Sequence, residues 1–294
     1  MDIFNIASDQ LSVSIRRRGA ELCRLRTGTG LDLLWDGDPA FWSGQAPVLF
    51  PVVGALAGGL LRHQGQAYPM PKHGFARGLD FRMVMLSAHA CRLRLEDDPG
   101  TRASYPFPFR LDLGFSILES ELTVEYQLHN PGEHDLPASF GAHPAFRWPL
   151  LPGLERTAHW LGLETQEADL LPGVSPDGLL TVPVRPSPLK GRLLALQDGL
   201  FTEDALVFNP VRSRALRYSA PGAPTLQIGW DGFPDLGVWT RPGAGFICVE
   251  PWRGHASPVG FDGEFTDKPG VFRVPPGTAV TARYNVRILA PELD

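Results

Sequence analysis

Apolar and polar residues alternate with a period of two along much of this chain. In RLDLGFSI, Leu111, Leu113, Phe115 and Ile117 fall on one side, and Arg110, Asp112 and Ser116 on the other. ELTVEYQL repeats the pattern with Leu122, Val124, Tyr126 and Leu128, and Glu119-Ser120 lies between the two runs. A period of two predicts strands, and two such runs across a short polar turn predict an antiparallel hairpin. VTARYNVRI aligns Val280, Ala282, Tyr284, Val286 and Ile288 in the same way. Shorter runs (LSVSI, FRMVML, ACRLRLE, ALVF, TLQIGW, LGVWT and FICVE) bring the candidates above ten. Many short strands separated by turn residues predict an all-β protein, a large antiparallel β-sandwich.

Helical signals are scarce. Asp38-Pro39 before AFWSG can cap one short turn. The stretch HWLGLETQEADLLPGVSPDGLL has the least regular pattern and is expected to form long loops with one brief strand. Glycine (32) and proline (29) make up about a fifth of the 294 residues. That exceeds the usual share of roughly 12% and leaves little room for long helices. With no fixed-period repeat and no Ser/Gly-rich linker, residues 1–294 are expected to form a single domain.

A net charge of -5 and a pI near 5.9 argue against a phosphate-backbone partner. Cys23, Cys91 and Cys248 are odd in number and widely spaced. They fit reduced cytosolic thiols better than a disulfide framework or a zinc site. The N-terminus, MDIFNIASDQ, shows no signal-peptide pattern, and no apolar run reaches the roughly 18 residues of a membrane span. A cytoplasmic protein without nucleic-acid or membrane partners is the expectation.

Four places pair a reactive side chain with a backbone that exposes it. MPKHGFAR carries His73 and Arg77 after a run of prolines and glycines. In SFGAHPAF, Pro144 pushes His143 toward an extended conformation and ends strand pairing there. FICVEPWRG runs an apolar strand into Glu250-Pro251-Trp252, where a partly desolvated carboxylate has a raised pKa. FTEDALVF starts a strand at Asp204. Each also has a plain structural reading as a core histidine, a solvated strand end or a turn residue. No local motif such as HExxH or GxSxG joins them. The aromatics Trp35, Phe41, Trp42, Trp148, Trp230, Phe233, Trp239 and Trp252 sit near Gly, Pro or Asp, a context that suits sugar faces as well as a core. A second local reading groups His73, His143 and Glu250 as a two-histidine, one-carboxylate metal site.

Taken in order, LLWDGDPAFWSGQAPVLFPVVG, MPKHGFAR, FGAHPAF, FPDLGVWT and FICVEPWRG resemble the segments of aldose 1-epimerases. The likeness is strongest to the LacX-type branch of the galactose mutarotase superfamily and spans about residues 10 to 290. The resemblance implies a galactose mutarotase-like β-supersandwich that interconverts the α and β anomers of a free aldose. It implies no cofactor and no metal, and a small-molecule sugar as the partner. Carried onto this chain, Glu250 matches the general base, His143 the general acid, and His73 a second histidine that binds and polarises the ring oxygen. Arg77, Asp204 and Trp252 fall where substrate is bound. Chemically, Glu250 should start ionised and His143 protonated, since one removes and the other supplies a proton. One departure stands out: after FPVVG, where relatives carry a sugar-binding arginine, this chain has Ala55. Arg62 or Arg77 is expected to compensate, or else the substrate differs. A non-catalytic sugar-binding or sensing protein with the same cleft is the alternative.

Overall fold

The computed structural model describes residues 2–290. Its largest element is a nine-stranded sheet. Across it run Leu193–Ala195, Trp160–Leu163, Ala215–Ser219, Thr225–Asp231, Ala279–Leu289, Glu121–His129, Arg110–Leu118, Ala90–Glu96 and Arg82–Leu86. A second, smaller sheet centres on Phe246–Arg253. Phe140–Gly141 and Ala145–Arg147 pair along one side of that strand, and Asp235–Trp239 followed by Leu206–Phe208 lie on the other. The strand pairs within both sheets are antiparallel.

The alternation in the sequence explains how the two sheets meet. Leu111 opposes Leu128, Leu113 opposes Tyr126 and Phe115 opposes Val124. Directly opposed residues share a face, so two apolar rows merge into one buried surface. Tyr126 on that surface stacks on Phe140 of the smaller sheet, ring centroids 5.6 Å apart. Phe233 packs edge-on against both rings. The core therefore lies between the sheets, and the opposite face of the smaller sheet is left for other use.

The structure departs from the sequence reading in two places. Asp112, on the polar side of its strand, is buried, because Arg94 Nε and Nη2 donate to its two oxygens at 2.6 and 2.9 Å. An arginine fork satisfies a carboxylate while its aliphatic stem covers it. The stretch expected to be long loops holds more strand than that. Trp160–Leu163 joins the large sheet, and Leu170–Val174 pairs with Leu180–Pro186 around a short turn. Glycine and proline mask the alternation there, and pairing with distant strands overrides it. Asp38 does organise a turn, with Oδ1 accepting from the Ala40 amide at 2.9 Å. The three cysteines are free thiols. Among the described residues, no helix is long and apolar enough to cross a membrane.

Leu113 is 0% exposed and Leu118, one strand-end further on, is 78% exposed. Leu113→Ala is expected to cost about 2–5 kcal/mol of unfolding free energy, and Leu118→Ala less than about 0.5 kcal/mol. Urea denaturation of the two variants checks this, and equal losses would contradict the assigned faces.

Candidate functional site

The strand Phe246–Arg253 divides its side chains between two environments. Ile247 and Val249 enter the inter-sheet core, while Cys248, Glu250 and Trp252 share the opposite face. Glu250 opposes Gly237 on the neighbouring strand, and Trp252 opposes Asp235. A Cβ on Gly237 would lie 2.4 Å from the Trp252 ring, and one on Gly141 would lie 2.6 Å from it. Two glycines therefore make the slot in which the indole lies beside Glu250.

On the other side, pairing breaks between Gly141 and Ala145. Pro144 interrupts it, as its missing N–H requires, and the chain bridges the gap through Ala142 N–H to the Pro251 carbonyl at 3.0 Å. His143 sits in that interruption and meets Glu250, with Nε2 3.1 Å from Oε2. Trp42 covers the imidazole at a centroid distance of 5.0 Å, and Trp239 stands edge-on to it at 5.8 Å. Nδ1 of His143 has no partner among the described residues, so the ring is oriented by Glu250 and the tryptophans.

His73 arrives from a different part of the chain. Its backbone is left-handed at φ 68°, followed by Gly74 at φ 72°. A Cβ on Gly74 would lie 2.1 Å from the Phe50 carbonyl oxygen, so only glycine fits. Gly54 and His73 exchange two hydrogen bonds: the His73 amide donates to the Gly54 carbonyl at 2.9 Å, and the Gly54 amide donates to Nδ1 at 3.2 Å. Because Nδ1 accepts, the neutral ring carries its proton on Nε2. Burial, with His143, Lys72 and Arg77 adding, pushes the His73 pKa well below its ordinary value, so the ring is neutral.

These side chains line one cleft of about 250 Å³. That lies just under the range of drug-sized sites and suits a smaller molecule. All six residues expected from the sequence are in its lining: His73, Arg77, His143, Asp204, Glu250 and Trp252. Asp204 is both a turn residue, at φ 70°, and part of the wall. The arginine fork of Arg77 donates to the Lys72 carbonyl at 2.9 Å. Arg62 instead lines a separate hollow with Leu56 and Phe261. The sequence reading missed Lys72, and also Val174, Gly178 and Leu180 from the stretch read as loop. A cation adjoining a glycine- and proline-flanked histidine was the available signal for Lys72.

Burial sets the proton balance. Glu250 is 1% exposed and His143 7%. Desolvation pushes the Glu250 carboxyl well above its usual range, opposed by Lys72, reinforced by Asp204 and opposed again by the nearby Trp252 indole. The indole N–H makes no hydrogen bond of ordinary geometry among the described residues. Burial also lowers His143 to about 3. Burial thus favours an uncharged pair, Glu250 protonated and His143 neutral. The expected ionised Glu250 and protonated His143 differ from this by one proton moved across a 3.1 Å contact. For metal, the trio whose ligand atoms converge is His143, Cys248 and Glu250, within 4.8 Å of one another, with Cys248 in place of His73. A thiol ligand must be deprotonated, and burial raises the Cys248 pKa well above its ordinary value.

The aldose 1-epimerase family model matches residues 2–273. The chain is 29% identical over 97% of its length to protein LacX of Lactococcus lactis subsp. lactis, in both plasmid and chromosomal forms, and covers 98% of each. Among solved structures it is similar to a galactose mutarotase related enzyme from Lactobacillus acidophilus, at 25% identity and a TM-score of 0.91, with 99% of this chain and 100% of that one covered. A galactose mutarotase-like protein from Lactobacillus casei matches at the same identity and TM-score, with 98% and 100% covered.

Gly237→Ala forces a methyl into the Trp252 ring. It should cost about 1–3 kcal/mol of stability and alter tryptophan fluorescence. Unchanged denaturation and emission would mean that the glycine slot does not hold the indole.

Proposed function

Because the chain belongs to the aldose 1-epimerase family, we propose that it interconverts the α and β anomers of a free aldose, with Glu250 as base and His143 as acid. The observation that carries this reading is a buried carboxyl and a buried imidazole, in contact at 3.1 Å, facing a cleft of sugar size. Glu250 removes the proton from the anomeric hydroxyl while His143 gives one to the ring oxygen. The bond between C1 and the ring oxygen breaks, leaving an open-chain aldehyde. Rotation about C1–C2 turns the other carbonyl face toward the hydroxyl, and the two transfers reverse to close the ring. His73 donates from Nε2 to the ring oxygen and helps to orient it. Arg77, Asp204 and Trp252 are assigned to binding, Trp252 through the apolar face of the sugar.

Burial matters to the energetics of this cycle. Ring opening turns the reactive ion pair, Glu250 carboxylate and His143 imidazolium, into two neutral groups. A desolvated site favours neutral groups, so the environment stabilises the opened state relative to an exposed pair. Lys72, which favours ionised Glu250, keeps the reactive form within reach. Each correctly placed acid or base supplies about 10²–10⁴ in rate.

Polarimetry of freshly dissolved α-glucose and α-galactose tests the reading. Glu250→Gln and His143→Asn should each lower kcat by about 10²–10⁴ with circular dichroism unchanged. Near-normal rates in Glu250→Gln would remove the base assignment, and binding across a sugar panel without acceleration would identify a sugar-binding protein instead.

The pH profile follows from the same groups. With His143 lowered to about 3, the pair takes up a second proton only in strong acid. With Glu250 raised, it loses its shared proton only above the ordinary carboxylate range. The rate should therefore show no break at about 4.3, where an ordinary glutamate titrates. A limb centred there would contradict the buried-pair assignment.

A further inference from the structure

Lys72 has an unusual setting. Its ammonium lies 3.9 Å from Asp204 Oδ2, and among the described residues it makes no other ion pair and no hydrogen bond. Two minimal side chains surround it. A Cβ placed on Gly178 would lie 3.4 Å from Lys72 Nζ and 3.5 Å from the Ala55 methyl. Gly178 is at φ 76°, in the turn between Leu170–Val174 and Leu180–Pro186, where its amide donates to the Ser175 carbonyl at 2.8 Å. A Cβ at 178 would already touch the ammonium, so a side chain longer than a methyl there would crowd it. The backbone of Lys72 is held in turn, because Arg77 Nη2 donates to its carbonyl.

The chemistry of the pair is complementary. An ammonium donates only and a carboxylate accepts only, whereas a sugar hydroxyl does both. The 3.9 Å separation is too long for a direct hydrogen bond, and a hydroxyl oxygen about 2.8 Å from each atom bridges it at a bent angle. Both groups are partly exposed, at side-chain values of 48% and 36%, so neither is spent on packing.

We propose that Lys72 and Asp204 together grip one hydroxyl of a neutral aldose and that Lys72 thereby sets which sugar the cleft accepts. Arg77, assigned to binding, also holds this loop through the Lys72 carbonyl. This assignment rests on the epimerase reading and adds a binding residue to it. It makes Lys72 the cation nearest Ala55 on the Gly178 side of the cleft, whereas Arg62 lines a separate hollow.

The test takes the sugar that the wild-type protein turns over best, with its monodeoxy analogues and its 6-phosphate. Lys72→Met should raise KM by about 10- to 100-fold, the worth of a hydrogen bond to a charged group. Lys72→Arg, also a cation, should keep most of the affinity. Adding Ala55→Arg to Lys72→Met should recover part of it, because the long cation then fills the same space. One monodeoxy analogue should lose as much with wild type as Lys72→Met loses with the full sugar, and should lose no more with Lys72→Met. An unchanged KM in Lys72→Met, equal losses for every analogue, or a loss confined to the 6-phosphate would overturn the assignment. If the wild-type protein accelerates no sugar, the epimerase reading fails by itself. Calorimetric binding of the same sugars then judges Lys72: weaker binding by Lys72→Met supports the grip, and equal binding, or none by wild type, overturns it.

Discussion

The 3.1 Å contact between His143 and Glu250 is the constraint around which the cleft is organised. A carboxyl that is 1% exposed pays heavily for its charge unless a proton or a cation answers it. Here one proton is shared with an imidazole that is itself buried, and Lys72 and the Trp252 indole add a weaker pull toward ionisation. The buried setting favours the neutral pair, and its neutral and charged forms differ by one short proton movement. The tryptophans Trp42, Trp239 and Trp252 keep water from the pair while leaving one side open to a ligand.

Holding that contact requires backbone irregularity where a regular sheet would fail. Pro144 breaks the strand so that His143 can turn across to Glu250. His73 and Gly74 take left-handed conformations so that a loop can approach Phe50 and exchange hydrogen bonds with Gly54. Gly141 and Gly237 give up their side chains to make the Trp252 slot. The two sheets supply a rigid base, packed through Tyr126, Phe140 and Phe233, against which these local departures are held. Strain and function coincide because the surrounding core over-determines the geometry.

Much of the fold was legible because an antiparallel sheet with one buried face writes its register into the chain. The runs 110–117 and 121–128 announced a hairpin, and their apolar rows meet as the alternation requires. Residues 160–186 were harder to read, since glycine and proline interrupt a pattern that only pairing with distant strands completes. The six candidate site residues were identified by resemblance to a family, not by spacing, because they come from four segments with no local motif. Lys72 stood beside His73, but a cation next to a loop histidine signals a solvated surface as readily as a cleft wall.

By itself, then, the sequence determined the sheet architecture, through period-two patterning, and named the candidate site residues through its resemblance to a family. Tertiary structure alone decided their proton balance, since desolvation depends on what packs around Glu250 and His143 and not on their neighbours in the chain. It also decided which cations line the cleft: Arg77 and Lys72 do, while Arg62 faces a separate hollow. Gly178 and Asp204, brought from distant segments, are the neighbours of the Lys72 ammonium.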